Sequence, residues 1–134
     1  MPRVPVPAEV DAFLAQANPA VVGTVRPDGS PHTAATWYDW EDGRILLNMD
    51  EGRARLRYLR ENPAIALTVL AEGDWYRHVS LLGRVVSIEA DEALEDIDRL
   101  ALRYTGQRYG NRESRRFSAW MAPERWHTWP LASR

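Results

Sequence analysis

The sequence predicts a mainly β protein: a closed or nearly closed antiparallel barrel with short helices at its mouth. Three observations point there. Short apolar runs recur between turn signals such as Pro27-Asp-Gly-Ser30 and Glu41-Asp-Gly43. Helical spacing is confined to three brief segments. The 134 residues, 45% apolar and 27% charged, suit one globular domain spanning 1–134, with no repeat or low-complexity segment.

The elements follow in order. Residues 8–17 set Val10, Phe13, Leu14 and Ala17 at helical spacing, and Asn18-Pro19 ends that helix. Residues 20–26 and 31–38 read as strands joined in a hairpin, and 44–49 as a third strand that extends it into a meander. Residues 53–60 turn helical, with Leu56 and Leu59 inward, until Pro63 removes a donor and crowds Asn62. Strands at 64–70 and 76–88 come next. The second is long enough to bend at Gly83, where a missing side chain permits close packing or a bulge. Asp91 is placed to cap a helix reaching Tyr104, with Leu94, Ile97, Ala101 and Tyr104 as its inner stripe and Gly106 as its stop. After a polar loop at 107–115, residues 116–121 and 125–129 form the last strands on either side of a turn at Pro123.

Composition excludes several function classes. The formal net charge of -2 provides no global positive field, so nucleic-acid binding is not expected and any anion site must be a local arginine cluster. With no cysteine there are no disulfides, thiolate nucleophiles or cysteine metal sites. His32, His78 and His127 lie far apart without a helical ligand pair, so no metal site is expected. Prolines break the opening MPRVPVPAEV where a signal peptide needs a continuous apolar stretch, and no run approaches the ~20 apolar residues of a membrane span. A cytoplasmic protein is expected. No nucleophile triad, Walker loop or dinucleotide fingerprint stands in its required context, which disfavours a hydrolase. Six tryptophans exceed what one small barrel readily buries, so an interface or a flat ligand is expected to cover some, with core or rim packing as the alternative.

Three segments carry candidate chemistry. In Glu51-Gly-Arg-Ala-Arg-Leu-Arg-Tyr-Leu-Arg60 a loop glycine precedes a helix whose start holds Arg53 and Arg55. Free N–H groups, the helix dipole and two guanidinium forks would converge there on a phosphate; a solvated basic helix paired with Glu51 and Glu61 is the alternative. In Pro31-His-Thr-Ala-Ala-Thr-Trp-Tyr38, small side chains let a flat ring lie against the backbone, or let the strand cross a crowded barrel or a close dimer contact. In Asp74-Trp-Tyr-Arg-His-Val79, rings and a cation can wall a pocket, and Tyr76 or His78 can donate a proton; a lone strand histidine is otherwise structural.

The order of these pieces resembles a known family. Thr24-Val-Arg-Pro-Asp-Gly-Ser-Pro-His32, Trp37-Tyr-Asp-Trp40, Arg44-Ile-Leu-Leu-Asn48, Glu51-Gly-Arg-Ala-Arg55, Asn62-Pro63, Tyr76-Arg77, Gly83-Arg-Val85 and Arg125-Trp-His-Thr-Trp129 together are similar to the split β-barrel proteins related to pyridoxamine 5'-phosphate oxidase, in the branch of F420-dependent oxidoreductases. The likeness runs from about Val10 to Trp129. It implies a homodimer with coenzyme F420 at the subunit interface, FMN being the alternative cofactor. It assigns the cofactor phosphate to Arg53 and Arg55 and lays the ring along Thr33, Ala34, Ala35, Thr36 and Trp37, with Asn48 and Met49 flanking the path to the ribityl chain. Tyr76 and His78 of the partner subunit complete the site as candidate catalytic groups, although relatives often carry an aromatic residue at the position of His78. The implied activity is hydride transfer to a planar small-molecule acceptor of the enone, quinone or tetrapyrrole class. An FMN-dependent oxidase or flavin reductase, or a non-catalytic module for cofactor or haem, is the competing reading.

Overall fold

Alternating apolar residues bounded by glycine, proline and asparagine lay out seven strands and three helices among the described residues. A computed structural model describes residues 1–129; positions 130–134 of the expected domain lie outside them. The elements are α1 (Ala8–Leu14), β1 (Ala20–Val25), β2 (Pro31–Thr36), β3 (Asp39–Glu41), β4 (Arg44–Asp50), α2 (Ala54–Glu61), β5 (Ala64–Ala71), β6 (Asp74–Ala90), α3 (Glu95–Thr105) and β7 (Arg116–Thr128).

The strands form one antiparallel sheet in the order β2-β1-β5-β6-β7-β4-β3. Its two edge strands, β2 and β3, are consecutive in the chain and joined by Trp37 and Tyr38 alone. That link spans at most about 11 Å, so the sheet must curl until its edges nearly meet. The result is the expected antiparallel barrel, split at one seam. Its inside is filled by Val22, Ile45, Leu47, Met49, Leu67, Val69, Val79, Leu81, Ala119 and Met121, all wholly buried. None of the six tryptophans is buried, and Trp75 and Trp129 are exposed.

Several boundaries differ from expectation for local reasons. The third strand does not extend the first hairpin into a meander: β4 pairs with β3 and β7, at the opposite end of the sheet from β2. The three residues of β3 are too few for alternation to announce them. There is no turn at Pro123, because β7 runs through it as one strand. Proline lacks the ladder donor, and the strand absorbs it by facing Gly83 beside a register shift. The last helix begins at Glu95, after Leu94 has taken a left-handed conformation (φ 59°). The Asp91 carboxylate still caps it from further upstream, accepting the Asp96 and Ile97 N–H groups at 3.1 and 2.9 Å.

One side chain ties the helices to the seam. Arg103 of α3 donates from Nε to the Tyr38 carbonyl (2.9 Å), from Nη1 to that of Ala15 (2.9 Å) and from Nη2 to that of Gln16 (2.6 Å), and pairs with Asp39 (3.3 Å). It thereby satisfies carbonyls left open where α1 ends. The wholly buried Tyr38 hydroxyl shares its donor between the Leu14 and Gln16 carbonyls, both at 2.8 Å. Burial pushes this phenol well above its ordinary range.

The bend of β6 rests on Gly83, where a Cβ would stand 2.2 Å from the Ala122 carbonyl oxygen and 2.8 Å from Pro123 Cα. Both are backbone atoms that cannot step aside. Gly83→Ala is therefore expected to cost about 2–3 kcal/mol in denaturant unfolding, whereas Gly110→Ala, with nothing within 4 Å, should leave the midpoint nearly unchanged.

Candidate functional site

Beside the seam lies a cavity of about 770 Å³. Ala35 and Thr36 line it from β2, Trp37 from the link, Asn48 from β4, Arg55 from α2, Glu72 from the turn after β5, Ile97, Leu100, Arg103 and Tyr104 from α3, Tyr109 from the loop that follows, and Arg116 from the start of β7. The volume suits a ligand with several fused rings.

One wall is aromatic. Trp37 stacks on Tyr104 with centroids 5.6 Å apart and planes within 8°, and Tyr109 meets Trp37 edge-on at 6.1 Å. The Tyr104 hydroxyl donates to the Asn18 carbonyl at 2.7 Å, which fixes the ring, and burial raises its pKa, so it stays neutral near pH 7.

The opposite side is cationic. Arg116 is only 8% exposed, and its Nε donates to Asn48 Oδ1 at 2.8 Å. The Asn48 amide nitrogen donates in turn to Asp91 Oδ2 (3.1 Å) and Ser118 Oγ (3.2 Å), and the Ser118 hydroxyl donates to Asp96 (2.6 Å). Among the described residues the half-buried Arg55 makes no ion pair. Burial lowers its pKa most, and the charges of Arg53 and Arg116 lower it further. Among the described residues the ion pairs within 4.0 Å engage Arg99, Arg103, Arg108 and Arg112, not Arg53, Arg55 or Arg116. Neighbouring guanidinium groups, Arg116 buried and Arg55 half-buried, repel one another, and an oxyanion between them would relieve that.

Of the residues singled out from sequence, Ala35, Thr36, Trp37, Asn48 and Arg55 line the cavity. Ala34 packs on the core and Met49 is wholly buried in it, while Thr33 and Arg53 are exposed outside the lining. Tyr76 and His78 stand on β6, also outside it. The His78 Nδ1 faces the carbonyls of Trp75 (3.2 Å) and Tyr76 (3.1 Å), an arrangement that places the ring proton on Nδ1 and leaves Nε2 as the acceptor. Sequence reasoning missed Arg103, Tyr109 and Arg116 and read Tyr104 only as a core stripe. The arginine-rich run from Arg108 to Arg116 was the available signal, but nothing in its spacing says which arginine turns inward.

Arg55→Met, by removing an unpaired half-buried charge, should leave the melting temperature equal or higher. It should also abolish the stabilisation that phosphate gives the native protein, which at ten times its Kd amounts to about 1.4 kcal/mol. Thermal unfolding with and without phosphate measures both.

A family model described as pyridoxamine 5'-phosphate oxidase matches residues 6–130. Among solved structures, the chain is similar to an F420 reductase at 26% identity and TM-score 0.84, over 91% of this chain and 98% of that one. A conserved hypothetical protein from Mycobacterium tuberculosis aligns at 25% identity and TM-score 0.75, over 96% and 87%. HupZ of Group A Streptococcus shares the fold at 16% identity and TM-score 0.65, over 92% and 94%. No curated protein matches the chain. Among the described residues no helix is long and apolar enough to cross a membrane.

Proposed function

The chain belongs to the pyridoxamine 5'-phosphate oxidase family, and on that premise we propose that it is a reductase that binds coenzyme F420 and passes a hydride to a planar organic acceptor of the enone, quinone or tetrapyrrole class. The observation that carries this reading is the pair of guanidinium groups, Arg55 and Arg116, which line a ring-walled cavity and which no carboxylate among the described residues meets within 4.0 Å. Similarity to the F420 reductase supports the deazaflavin over FMN, and Arg57 and Arg60 extend the basic character of α2 beyond the phosphate position. FMN remains the second reading, favoured by the family's flavin-binding members.

Each residue has a part in that proposal. Arg53 and Arg55 would hold the phosphate. Ala35 and Thr36, with Thr33 and Ala34 on the same strand, leave backbone free along one face of the ring, and Trp37 closes its edge. Asn48 acts through Arg116, because its amide is already engaged on both sides, and Met49 supports β4 from the core. When bound, the deazaflavin supplies the hydride from its ring carbon, and the protein contributes position and exclusion of water. Tyr76 and His78 would reach the site only from a second copy, so a homodimer is part of the proposal. With its proton on Nδ1, His78 donates from Nε2 only as the imidazolium.

Tryptophan-fluorescence titration with oxidised F420, and separately with FMN, tests the cofactor. The native chain should bind F420 more tightly, and Arg55→Ala should weaken it by roughly 10- to 100-fold, as expected for a charge-assisted contact. Preference for FMN would move the assignment to the second reading. Binding with no turnover of reduced cofactor across quinones and enones would leave a non-catalytic module.

A further inference from the structure

We propose that Arg116 is a further anion-binding residue of the cavity, held as a rigid fork, with Tyr109 as its positioning residue and Asp98 as the latch of the loop that carries Tyr109. This rests on the reading above and deepens it to the residues that hold Arg116 in place, and its first readout is the response to inorganic phosphate alone.

An arginine side chain has many rotors, and a free one surrenders them when it binds. Arg116 has surrendered them already. Its Nε is bound to Asn48 Oδ1 at 2.8 Å, and the Tyr109 ring covers it with the centroid 4.7 Å from Cζ. Asn48 cannot turn away, because Asp91 and Ser118 both take its amide nitrogen. What is left is the edge carrying Nη1 and Nη2, for which the described residues provide no hydrogen-bond partner and which belongs to a side chain lining the cavity. A planar edge with two parallel donors matches two oxygens of a phosphate or a carboxylate. Arg55 lines the same cavity, and the charge of Arg116 helps to lower its pKa.

Tyr109 sits in a loop without regular structure, so something must hold its ring there. Asp98 of α3 does so: Oδ1 accepts the Tyr109 N–H at 3.1 Å and Arg112 Nη1 at 2.5 Å, and Oδ2 pairs with Arg108 Nε at 3.5 Å. Arg112 also donates back to the Tyr109 carbonyl at 3.3 Å. The Arg112 hydrogen bond, with the Tyr109 N–H and the charges of Arg112 and Arg108 adding to it, keeps this carboxyl below its ordinary range, so the latch is charged near pH 7. One carboxylate thus gathers the backbone and two side chains of residues 108–112 and presents the ring to Arg116.

Arginine Nε–Hε NMR of the isotopically labelled full chain reads this directly, with Arg116→Lys assigning the signal. The Arg116 resonance should be displaced by the Tyr109 ring current and should move on titration with inorganic phosphate. In Tyr109→Ala the displacement should vanish and phosphate affinity should fall about five- to tenfold. Asp98→Asn should shift the same signal in the same direction, while Tyr109→Phe and Asp98→Glu restore it, which a general loss of folding would not produce. If FMN removes the phosphate response, the oxyanion is the cofactor's; if the response persists in FMN-saturated protein, it belongs to the acceptor. Both results uphold the fork. An Arg116 signal indifferent to phosphate, or one unchanged in Asp98→Asn, would overturn the proposal.

Discussion

Where β6 crosses β7, the backbone of Gly83 and that of Ala122 and Pro123 approach more closely than any side chain allows, and the shape of the molecule depends on that contact. These are the two longest strands, of 17 and 13 residues, and each serves two parts of the sheet. β6 reaches to β5 and through it to β1 and β2, and β7 reaches to β4 and β3. Register shifts beside Gly83 and between Val85 and Ser87 bend this ladder and help to swing the two halves toward each other. Only then can Trp37 and Tyr38 join β2 to β3 across the seam, with Arg103 sealing the junction from α3. The cavity lies beside that seam, so the site is a consequence of how the barrel fails to close.

Electrostatics then separates scaffold from site. The chain carries 17 basic and 19 acidic residues, and every basic one is an arginine. Around α3 the charges are matched, with Arg99 and Arg103 on Asp39 and Glu41, and Arg108 and Arg112 on Asp98. At α2 and the start of β7 no carboxylate among the described residues pairs with Arg53, Arg55 or Arg116 within 4.0 Å, and Asp50 acts on Arg53 and Arg116 only from further off. Partly buried like charges without a close counter-ion weaken a fold, and such a cluster in a cavity is a reason to expect a ligand of opposite charge. Arginine suits that role because its fork grips two oxygens at once and its flat face packs on rings, as Arg116 does under Tyr109.

Much of this was legible in the sequence. Helical spacing placed all of α1, overrunning it by three residues, and most of α2, turn residues placed the first hairpin, and Gly83 marked the close approach and register shift of β6. The motif Glu51-Gly-Arg-Ala-Arg55 pointed to an anion site, and Arg55 does line the cavity. The failures share one cause. Whether β4 pairs with β2 or with β7, whether Pro123 turns the chain or merely faces a glycine, and which arginine of 108–116 points inward are decided by strands distant in the chain. Local propensity carries no record of such partners. Asp91 shows the intermediate case: its capping chemistry was readable, but not its further bond to Asn48 across the core.

A crystal structure of the protein grown with oxidised F420 tests most directly whether this cavity holds a phosphate-bearing fused-ring cofactor between its arginines and its aromatic wall, as proposed. The phosphate is expected on Arg55, the ring along β2 beside Trp37, and a second subunit bringing its own Tyr76 and His78 to the open side. A cofactor bound elsewhere on the molecule, or the ring in this cavity with its phosphate turned away from the arginines, would contradict the proposal.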